Sequence, residues 1–330
     1  MQMENLILQI NNLYNLQLHS SEKVNKGFLT ENHILFCDDK KYFLKRYRFN
    51  RQDRIEEIHS VKKYFADGGI PVILPITNIK GDTFFLFEDG YFALFPFISD
   101  VQLDGDSLTD TAIISLGEIL GKIHLLGKVC KLPVKEKFYA WDKEKALEKI
   151  DRIHDEIKKI TNPTEFDQLA LQSIETKKKL IQANAVKYED LNLPSDHLIH
   201  GDYHTGNVFF GIDNKVSCVF DFEKTSYSPR FYELFRSLIY FLRGDINEQG
   251  LERARLYLKS YLSIYPTSKD ELSKGLNLFY LKSIHGTWVE GEHYLMKSDR
   301  VDVFLHDDSK RIKYLSLNFE QFKNELFKEV

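Results

Sequence analysis

The sequence predicts an α+β protein, and its 330 residues leave room for one large domain or two lobes. Residues 1–98 are expected to form a small lobe with an antiparallel β-sheet and one main helix. Residues 99–330 are expected to form a larger, mostly helical lobe that carries a β-hairpin. Two patterns predict this class: short apolar runs separated by turn residues fill the first hundred positions, and apolar residues recur at a period near 3.6 over much of the remainder.

The composition is that of a globular protein and argues against several classes. Hydrophobic residues make up 43% of the 330 positions, and the net charge of −4 gives no basic footprint for nucleic acid. No apolar run approaches the roughly 20 residues of a membrane span. The N-terminus lacks the pattern of a signal peptide. The three cysteines are far apart, which favours a reducing compartment. We therefore expect a cytoplasmic monomer or dimer without a nucleic-acid or membrane partner.

The elements of the small lobe follow in order. A short helix is predicted over residues 1–20, and strands follow up to Tyr47. Lys45 lies between Phe43 and Tyr47 on one side of the last of these strands, a position that favours a buried anionic partner for its ammonium group. A helix over residues 53–66 and two further strands complete the lobe.

The large lobe begins with a helix whose period is firmest over residues 116–124. Gly117 and Gly121 on this helix would allow a neighbouring helix to pack closely. Residues 131–196 contain two charged helical stretches and form a helical insertion, either shaping a substrate pocket or acting as a solvated spacer. Helices are also predicted after Pro229 and through the C-terminal part of the chain.

The segment of residues 198–223 has the clearest functional pattern. It reads His200-Gly-Asp202-Tyr-His204-Thr-Gly-Asn207, followed by strand-like runs on either side of a Gly-Ile-Asp-Asn turn, and then Asp221-Phe-Glu223. The turn signal predicts a hairpin, which would bring the polar residues on its two ends together. Carboxylate and amide oxygens suit Mg²⁺ and can orient a hydroxyl group.

This motif, His-Gly-Asp-x-His-x-x-Asn followed by Asp-Phe-Glu, resembles the aminoglycoside phosphotransferase and choline kinase superfamily. Protein kinases have Arg where Gly201 stands and Gly where Glu223 stands. The resemblance covers most of the chain and is most specific at residues 200–223. It implies a protein-kinase-like fold and an ATP- or GTP-dependent O-phosphotransferase, which phosphorylates a small molecule such as an aminoglycoside, choline, homoserine or a sugar.

The resemblance also implies roles for individual residues. Asp202 would be the catalytic base, and Asn207 and Asp221 would hold Mg²⁺. Lys45 would bind the α- and β-phosphates of the nucleotide and pair with a glutamate of the following helix. Glu57 is the predicted glutamate, with Glu56 as the alternative.

Further nucleotide contacts are expected from two backbone segments. The loop that contains Gly27 and Thr30 would lie over the phosphates, although an ordinary turn is the alternative reading. The strand of residues 91–98 would end at the hinge between the lobes, where the backbone near Phe95 and Phe97 would hydrogen-bond to the adenine.

The predicted substrate contacts are His204, Glu223, Trp288 and Glu290. Acidic residues between positions 290 and 308 either favour a cationic acceptor or are ordinary surface. His200 is expected to brace the catalytic loop by hydrogen bonds, and the resemblance implies a bracing role for Glu233. His124 is expected to be a packed structural residue.

Two other functions are considered. His200-x-Asp202-x-His204 is also typical of a metal-ligand run, which would indicate a zinc metallohydrolase. A protein Ser/Thr kinase is the other alternative. The short stretch between Asp221 and the helix at Pro229 argues against it, because it leaves little platform for a peptide.

Overall fold

The N-terminal part of the protein is a β-sheet with a helix on each face. The computed structural model describes residues 2–24, 32–137, 139–242 and 246–328. The first elements are α1 (Gln2–Tyr14), β1 (Ser20–Val24), β2 (Asn32–Phe36), β3 (Lys41–Arg46), α2 (Gln52–Asp67), β4 (Phe85–Phe87) and β5 (Gly90–Pro96). The strands form one antiparallel sheet in the order β1-β2-β3-β5-β4, as the fold class predicted.

Successive side chains of β3 point to opposite faces of the sheet, and each face packs against a different helix. Leu44 is fully buried in an apolar cluster with Leu6 and Ile10 of α1. Its neighbours Phe43 and Lys45 point to the opposite face, where α2 contributes Ile55 to a second cluster. Lys45 is thereby directed towards the side of the sheet on which Asp221 and Glu223 lie. We call the stretch of residues 200–224 the catalytic segment.

The remaining part of the chain is mostly helical, as predicted. It contains α3 (Asp110–Val129), α4 (Lys143–Lys158), α5 (Glu165–Ala183), β6 (His197–Ile199), β7 (Val208–Phe210), β8 (Val216–Val219), β9 (Ser226–Ser228), α6 (Arg230–Tyr240), α7 (Glu248–Ile264), α8 (Lys269–Ile284), α9 (Trp288–Tyr294) and α10 (Leu305–Leu326). Strands β7 and β8 form the predicted antiparallel hairpin, and β6 pairs with β9.

Helices α3 and α7 pack closely because α3 carries two glycines on the contact face. A Cβ atom on Gly117 would lie 2.5 Å from the carbonyl oxygen of Tyr257, and one on Gly121 would lie 2.8 Å from Cβ of Ile264. Backbone atoms cannot give way as a flexible side chain can. The close packing predicted from these two glycines is therefore confirmed.

Two apolar cores stabilise the helical part. The larger core joins α3, α6, α7, α8 and the hairpin, and it also includes Val61 and Phe65 of α2. The second core joins α4 and α5 to α9 and α10, with Ile153, Ile174 and Ile312 fully or almost fully buried. The charged helices of the predicted insertion thus pack onto later helices and are not solvated spacers.

Candidate active site

The hairpin places Asn207 and Asp221 at its two ends. Asn207 precedes β7, and its carbonyl oxygen accepts a hydrogen bond from the N–H of Phe220 at 3.1 Å. The Asn207 Nδ2 donates to the carbonyl oxygen of Asp202 at 2.9 Å, which ties the loop of residues 200–206 to the hairpin. Asp221 has left-handed backbone torsions, with φ 64° and ψ 59°, and follows the end of β8 by two residues. The hairpin therefore brings the three polar residues of the motif into one site.

Asp202 is largely buried, and two cations hold its carboxylate. Lys224 Nζ lies 2.8 Å from Oδ2, and Arg236 Nη1 lies 2.5 Å from Oδ1. Burial alone would raise the pKa of Asp202, but the charges of Arg236 and Lys224 outweigh it, and the pKa is well below its usual value. His204 Nε2 is 4.0 Å from Oδ1. Asp202 is thus an ionised carboxylate at neutral pH.

Glu233 of α6 braces the loop that precedes Asp202. Its carboxylate accepts backbone hydrogen bonds from His200 at 3.1 Å, Gly201 at 2.5 Å and Tyr203 at 3.3 Å. Burial raises the pKa of Glu233, and the nearby His200 and these N–H groups act in the opposite direction. Its side chain is 2% exposed, so this carboxylate depends on protein groups for its hydrogen bonds. The predicted bracing contact of Glu233 is present.

His124 holds Glu233 from the other side. Its Nε2 lies 3.1 Å from the carboxylate, and its Nδ1 lies 2.9 Å from the hydroxyl oxygen of Tyr261, which accepts a hydrogen bond from Arg230. Burial lowers the pKa of His124 well below its usual value, so the ring is neutral. A neutral ring that donates from Nε2 and accepts at Nδ1 completes the chain of hydrogen bonds. His124 is the packed structural residue that was predicted.

His200 connects the loop to the hairpin. Its Nε2 lies 2.8 Å from the carbonyl oxygen of Phe220, and its Nδ1 accepts a hydrogen bond from the N–H of Asp202 at 3.2 Å. Its ring also packs on Phe222, with ring centroids 4.3 Å apart. The predicted bracing by His200 is present, and both of its ring nitrogens are engaged by protein.

A glycine is required between His200 and Asp202. Gly201 has φ +85°, and a Cβ atom there would lie 2.0 Å from the carbonyl oxygen of Lys224. No side chain fits this space, and the positive φ would strain one in any case. The close approach explains why Gly occupies this position.

Lys45 reaches the site from β3. Its Nζ lies 2.9 Å from Oδ1 of Asp221 and 2.7 Å from Oε1 of Glu223. Burial would lower the pKa of Lys45, but these two carboxylates raise it above its usual value. Glu223 also accepts a hydrogen bond from Arg48 at 3.0 Å, and its side chain is only 5% exposed. The predicted substrate contact of Glu223 is therefore wrong, since its carboxylate is buried against two cations.

The predicted pairing of Lys45 with Glu57 is also wrong. Glu57 forms an ion pair with Arg54 one turn earlier on α2, and Glu56 accepts a hydrogen bond from Gln52 at 2.8 Å. Arg54 in turn donates to the carbonyl oxygen of Glu223 at 2.8 Å. Helix α2 thus contacts the catalytic segment through an arginine, and its glutamates face elsewhere.

The remaining predicted nucleotide contacts have different outcomes. Gly27 and Thr30 lie outside the described residues. Phe95 is buried on β5, where Nζ of Lys62 lies 4.2 Å from its ring centroid. Phe97 follows the strand and is half-buried. The adenine contact near Phe95 and Phe97 stays a prediction.

The predicted pocket at α9 is corrected for one residue. Glu290 is fully buried, and its Oε1 accepts hydrogen bonds from Ser173 at 2.7 Å and from Lys177 at 2.9 Å. Such a carboxylate is a structural group of the second core and cannot contact a substrate. Trp288 is half-exposed and stacks on Phe304, with centroids 5.6 Å apart. Its substrate contact stays a prediction.

The geometry does not support the zinc-site interpretation. Over the described ranges, no group of three or more His, Cys, Asp and Glu side chains is arranged to hold a metal ion. Both ring nitrogens of His200 are hydrogen-bonded, and Nδ1 of His204 accepts from the N–H of Gly206 at 3.0 Å. His200 positions the loop, and the substrate contact of His204 stays a prediction.

Sequence reasoning missed the two cations on Asp202. Arg236 follows Glu233 by three residues on α6, so the two share one helix face and both point to the catalytic loop. The i, i+3 spacing from Glu233 could therefore have indicated that Arg236 faces the catalytic loop. Lys224 follows the Asp-Phe-Glu motif directly, and nothing local distinguishes it from a solvated lysine.

The site combines a lysine from the sheet with a braced loop that carries Asp202 and a hairpin that carries Asn207 and Asp221. This arrangement is that of a phosphotransferase with a protein-kinase-like fold. The sequence model of the phosphotransferase enzyme family matches residues 24–267, and the chain belongs to this family. The resemblance found in the sequence is thereby confirmed. No curated protein matches the sequence.

Solved structures share the fold over the whole chain. Spectinomycin phosphotransferase APH(9)-Ia, in complex with ADP and spectinomycin, has a TM-score of 0.65 and 18% identity, with 98% of this chain and 97% of that chain covered. A microcompartment-associated aminopropanol kinase has a TM-score of 0.65 and 14% identity, with 98% and 99% covered. Choline kinase from Cryptosporidium parvum Iowa II has a TM-score of 0.61 and 12% identity, with 99% of each chain covered.

Proposed function

We propose that this protein transfers the γ-phosphate of ATP or GTP to a hydroxyl group of a small molecule, with Asp202 as the catalytic base. The observation that carries the proposal is the state of Asp202. It is an ionised carboxylate on a loop whose backbone Glu233 fixes, and it lies next to a hairpin that presents Asn207 and Asp221. Phosphoryl transfer depends mainly on positioning and charge neutralisation, which such a rigid arrangement supplies.

Lys45 is the proposed ligand of the α- and β-phosphates. Its ammonium group is held in the site by Asp221 and Glu223, so its position is fixed before a nucleotide arrives. Relatives with the same fold bear on the nucleotide, because spectinomycin phosphotransferase APH(9)-Ia was solved with ADP and amicoumacin kinase hAmiN with AMP-PNP and Ca²⁺. We assign a nucleotide to this site on both grounds.

Asn207 and Asp221 fit a divalent cation such as Mg²⁺. The Nδ2 of Asn207 is used on the Asp202 carbonyl oxygen, so Oδ1 is the atom that can act as a ligand. Burial would raise the pKa of Asp221, but Lys45 lowers it, and the carboxylate is ionised with a side chain that is 35% exposed. Both donors are hard oxygen atoms, as Mg²⁺ prefers. A bound cation would neutralise phosphate charge during transfer.

Asp202 would orient the acceptor hydroxyl group and take its proton. Because its pKa is low, it is a weak base in the ground state and accepts the proton late, as the bond to phosphorus forms. The loop bracing by His200, Glu233 and the hairpin keeps its carboxylate aimed at one place.

A protein substrate is less well supported. Only the short segment between Asp221 and Pro229 separates the hairpin from α6, and β9 within it pairs with β6. This pairing uses the backbone of the segment inside the fold, which leaves little surface for a peptide. A small acceptor suits this geometry better.

The expected location is the cytoplasm, as the composition suggested. Within the part of the chain that the structure covers, no helix combines the length and apolar character that a bilayer crossing needs. All three cysteines are free. Free thiols are typical of proteins in a reducing compartment. The proposed location is checked by fractionating cells that express the protein.

The function is tested by incubating the purified full chain with Mg·ATP and a panel of small alcohols. Phosphorus NMR should show a new phosphomonoester signal that grows as ADP forms. The Asp221→Asn variant should lose this signal and need far more Mg²⁺ for any residual turnover. An unchanged Mg²⁺ requirement in that variant would remove Asp221 from the metal site.

A further inference from the structure

A cluster of basic side chains surrounds the proposed catalytic carboxylate, and we call Lys137, Lys224 and Arg236 the basic cluster. Lys224 and Arg236 contact the two oxygens of Asp202 at 2.8 and 2.5 Å. Lys137 stands on the loop before α4, with Nζ 5.2 Å from the ring centroid of Tyr139. Tyr139 stacks on Tyr232 of α6 at 4.0 Å, one turn before Arg236. The stacked tyrosines place Lys137 beside the other two cations.

The electrostatics of Lys137 support this arrangement. Desolvation lowers its pKa, and the charges of Lys224 and Arg236 lower it further, against the weaker opposite effect of Asp202. Lys282 lies in the same region, because its Nζ donates to the carbonyl oxygen of Ala140 at 3.1 Å. Burial lowers the pKa of Lys282, and the charge of Lys137 lowers it further. The three cations of the basic cluster therefore carry more positive charge than the carboxylate of Asp202 can neutralise.

The basic cluster can be reached from solvent. The Lys224 side chain is 44% exposed, Arg236 is 24% exposed and Lys137 lies on the surface. A guanidinium group has five N–H donors. Arg236 can therefore hold Asp202 through Nη1 and still donate to a second anion.

Four of the six acidic residues that had favoured a cationic acceptor pair with protein groups. Glu290 and Asp308 both lie within hydrogen-bond distance of Lys177, at 2.9 and 3.0 Å. Glu292 pairs with Arg300 at 2.7 Å, and Asp302 lies 2.8 Å from His293. These four carboxylates balance charges of the second core and its surface, so a cationic acceptor would have to displace those partners. Asp307 is 45% exposed and is not among them.

We infer that the acceptor carries an anionic group, a carboxylate or a phosphate, which the basic cluster binds while Asp202 receives the acceptor hydroxyl group. This inference rests on the proposed function and names the substrate class of the same site. A polycationic acceptor would meet like charges at Lys137, Lys224 and Arg236. An anionic acceptor would be drawn to them, and its charge would compete with Asp202 for Lys224 and so release the Oδ2 of Asp202 to the hydroxyl group.

The acceptor charge is tested with matched small alcohols and Mg·ATP, using the purified full chain. Glycolate and ethanolamine are both two-carbon primary alcohols, with a carboxylate in one and an amine in the other. Glycerol 3-phosphate, glycerol and choline extend the comparison to a phosphate, a neutral alcohol and a quaternary ammonium. We expect kcat/KM to be at least roughly tenfold higher for an anionic alcohol than for ethanolamine, choline or glycerol. Equal or higher values for the cationic alcohols would overturn the inference.

Variants of Lys137 test the cluster without touching Asp202. Lys137→Gln should raise KM for the preferred anionic alcohol roughly tenfold and leave kcat and the KM for ATP nearly unchanged. Lys131→Gln removes an exposed lysine from the same loop and is the matched control. A KM that stays the same in Lys137→Gln would exclude Lys137 from acceptor binding and contradict the inference.

A binding measurement decides the case in which no alcohol on the panel is phosphorylated. Calorimetry with protein saturated with Mg·AMP-PNP, which blocks the nucleotide phosphates, should detect glycolate or glycerol 3-phosphate and not ethanolamine or choline. The carboxylate and phosphate probes separate the two anion types. If neither anion binds, the inference fails. If anions bind while the protein transfers no phosphate from Mg·ATP to any alcohol, the proposed function fails instead.

Discussion

The ammonium group of Lys45 lies 2.7 Å from Oε1 of Glu223, two residues beyond Asp221. The lysine of the sheet thus finds its buried anionic partner on the catalytic segment itself. Helix α2, which was expected to supply a glutamate, contributes Arg54, which donates to the carbonyl oxygens of Glu223 and Thr225. The sheet and the catalytic segment are therefore connected directly by an ion pair.

Replacing Glu223 should disturb both stability and nucleotide binding. Glu223→Gln leaves the buried Lys45 and the half-buried Arg48 with one carboxylate fewer, which should lower the free energy of unfolding by roughly 3 kcal/mol. The Kd for ATP should also rise, because Lys45 loses the contact that positions it. Chemical denaturation and calorimetry measure the two effects. Glu57→Gln is the matched control, and a larger effect there than at position 223 would restore Glu57 as the partner.

Replacing Glu233 should slow the reaction while nucleotide binding persists. In Glu233→Gln one carboxylate oxygen becomes an NH₂ group that faces backbone N–H donors, so the loop before Asp202 shifts. A displacement of about 1 Å costs on the order of 100-fold in rate, and we expect a kcat loss of that size with an ATP Kd within a few-fold. Steady-state kinetics and calorimetry test this. Full activity in Glu233→Gln would show that the loop holds its position without the brace.

Lys62 makes stability depend on pH in a defined window. Burial, and then the charge of Lys45, lowers the pKa of this lysine to about 7, whereas an unfolded lysine titrates near pH 10.4. Between these values the unfolded chain binds the proton and the folded chain does not, so stability rises with pH from about 7 to about 10. Below pH 7 Lys62 is charged in both states, and the folded protein bears the full free-energy cost of burying its ammonium group.

The matching variant is Lys62→Met, which removes the titrating group and keeps the apolar stem. It should raise the free energy of unfolding at pH 6 by roughly 2 to 4 kcal/mol and flatten the rise above pH 7. Denaturation between pH 6 and pH 10 measures both. Lys63→Met, on the exposed face of the same helix, should leave the slope intact, and an unchanged slope in Lys62→Met would contradict the assignment.

Lys177 should be essential for stability and irrelevant to catalysis. Its fully buried ammonium group is shared by Glu290 and Asp308. Lys177→Met leaves the buried Glu290 without its cation and Asp308 with Arg311 alone, and should cost roughly 3 to 5 kcal/mol. The adjacent Lys178 pairs with Asp151 on the surface, and Lys178→Met should change stability by about 0.5 kcal/mol or less. The acceptor KM of folded Lys177→Met should match that of the wild type, and a changed KM would return Glu290 to the substrate pocket.

The features that the sequence predicted correctly are local ones. The hairpin follows from two apolar runs around a Gly-Ile-Asp-Asn turn, and the closeness of Asn207 to Asp221 follows from the hairpin. Alternation on β3 placed Lys45 opposite Leu44. Each of these depends on residues within about 20 positions of one another, where period and turn chemistry decide the structure.

The features that it missed depend on distant partners. Lys45 and Asp221 are 176 positions apart, and no local pattern shows that Glu223 lies closer to the lysine than Glu57 does. The burial of Glu290 similarly depends on how α5 and α9 pack, since an acidic residue on a helix is usually solvated. The charge around Asp202 comes from a loop and from α6, which only the fold brings together.

The most direct test of the account is the turnover of Asp202→Ala, compared with its affinity for Mg·ATP. Loss of a positioned general base is expected to reduce the transfer of phosphate to the acceptor on the order of 100- to 10,000-fold. The Kd for Mg·ATP should stay within a few-fold of the wild-type value, because Lys45, Asn207 and Asp221 remain in place. Transfer at the wild-type rate in Asp202→Ala would contradict the proposed chemistry.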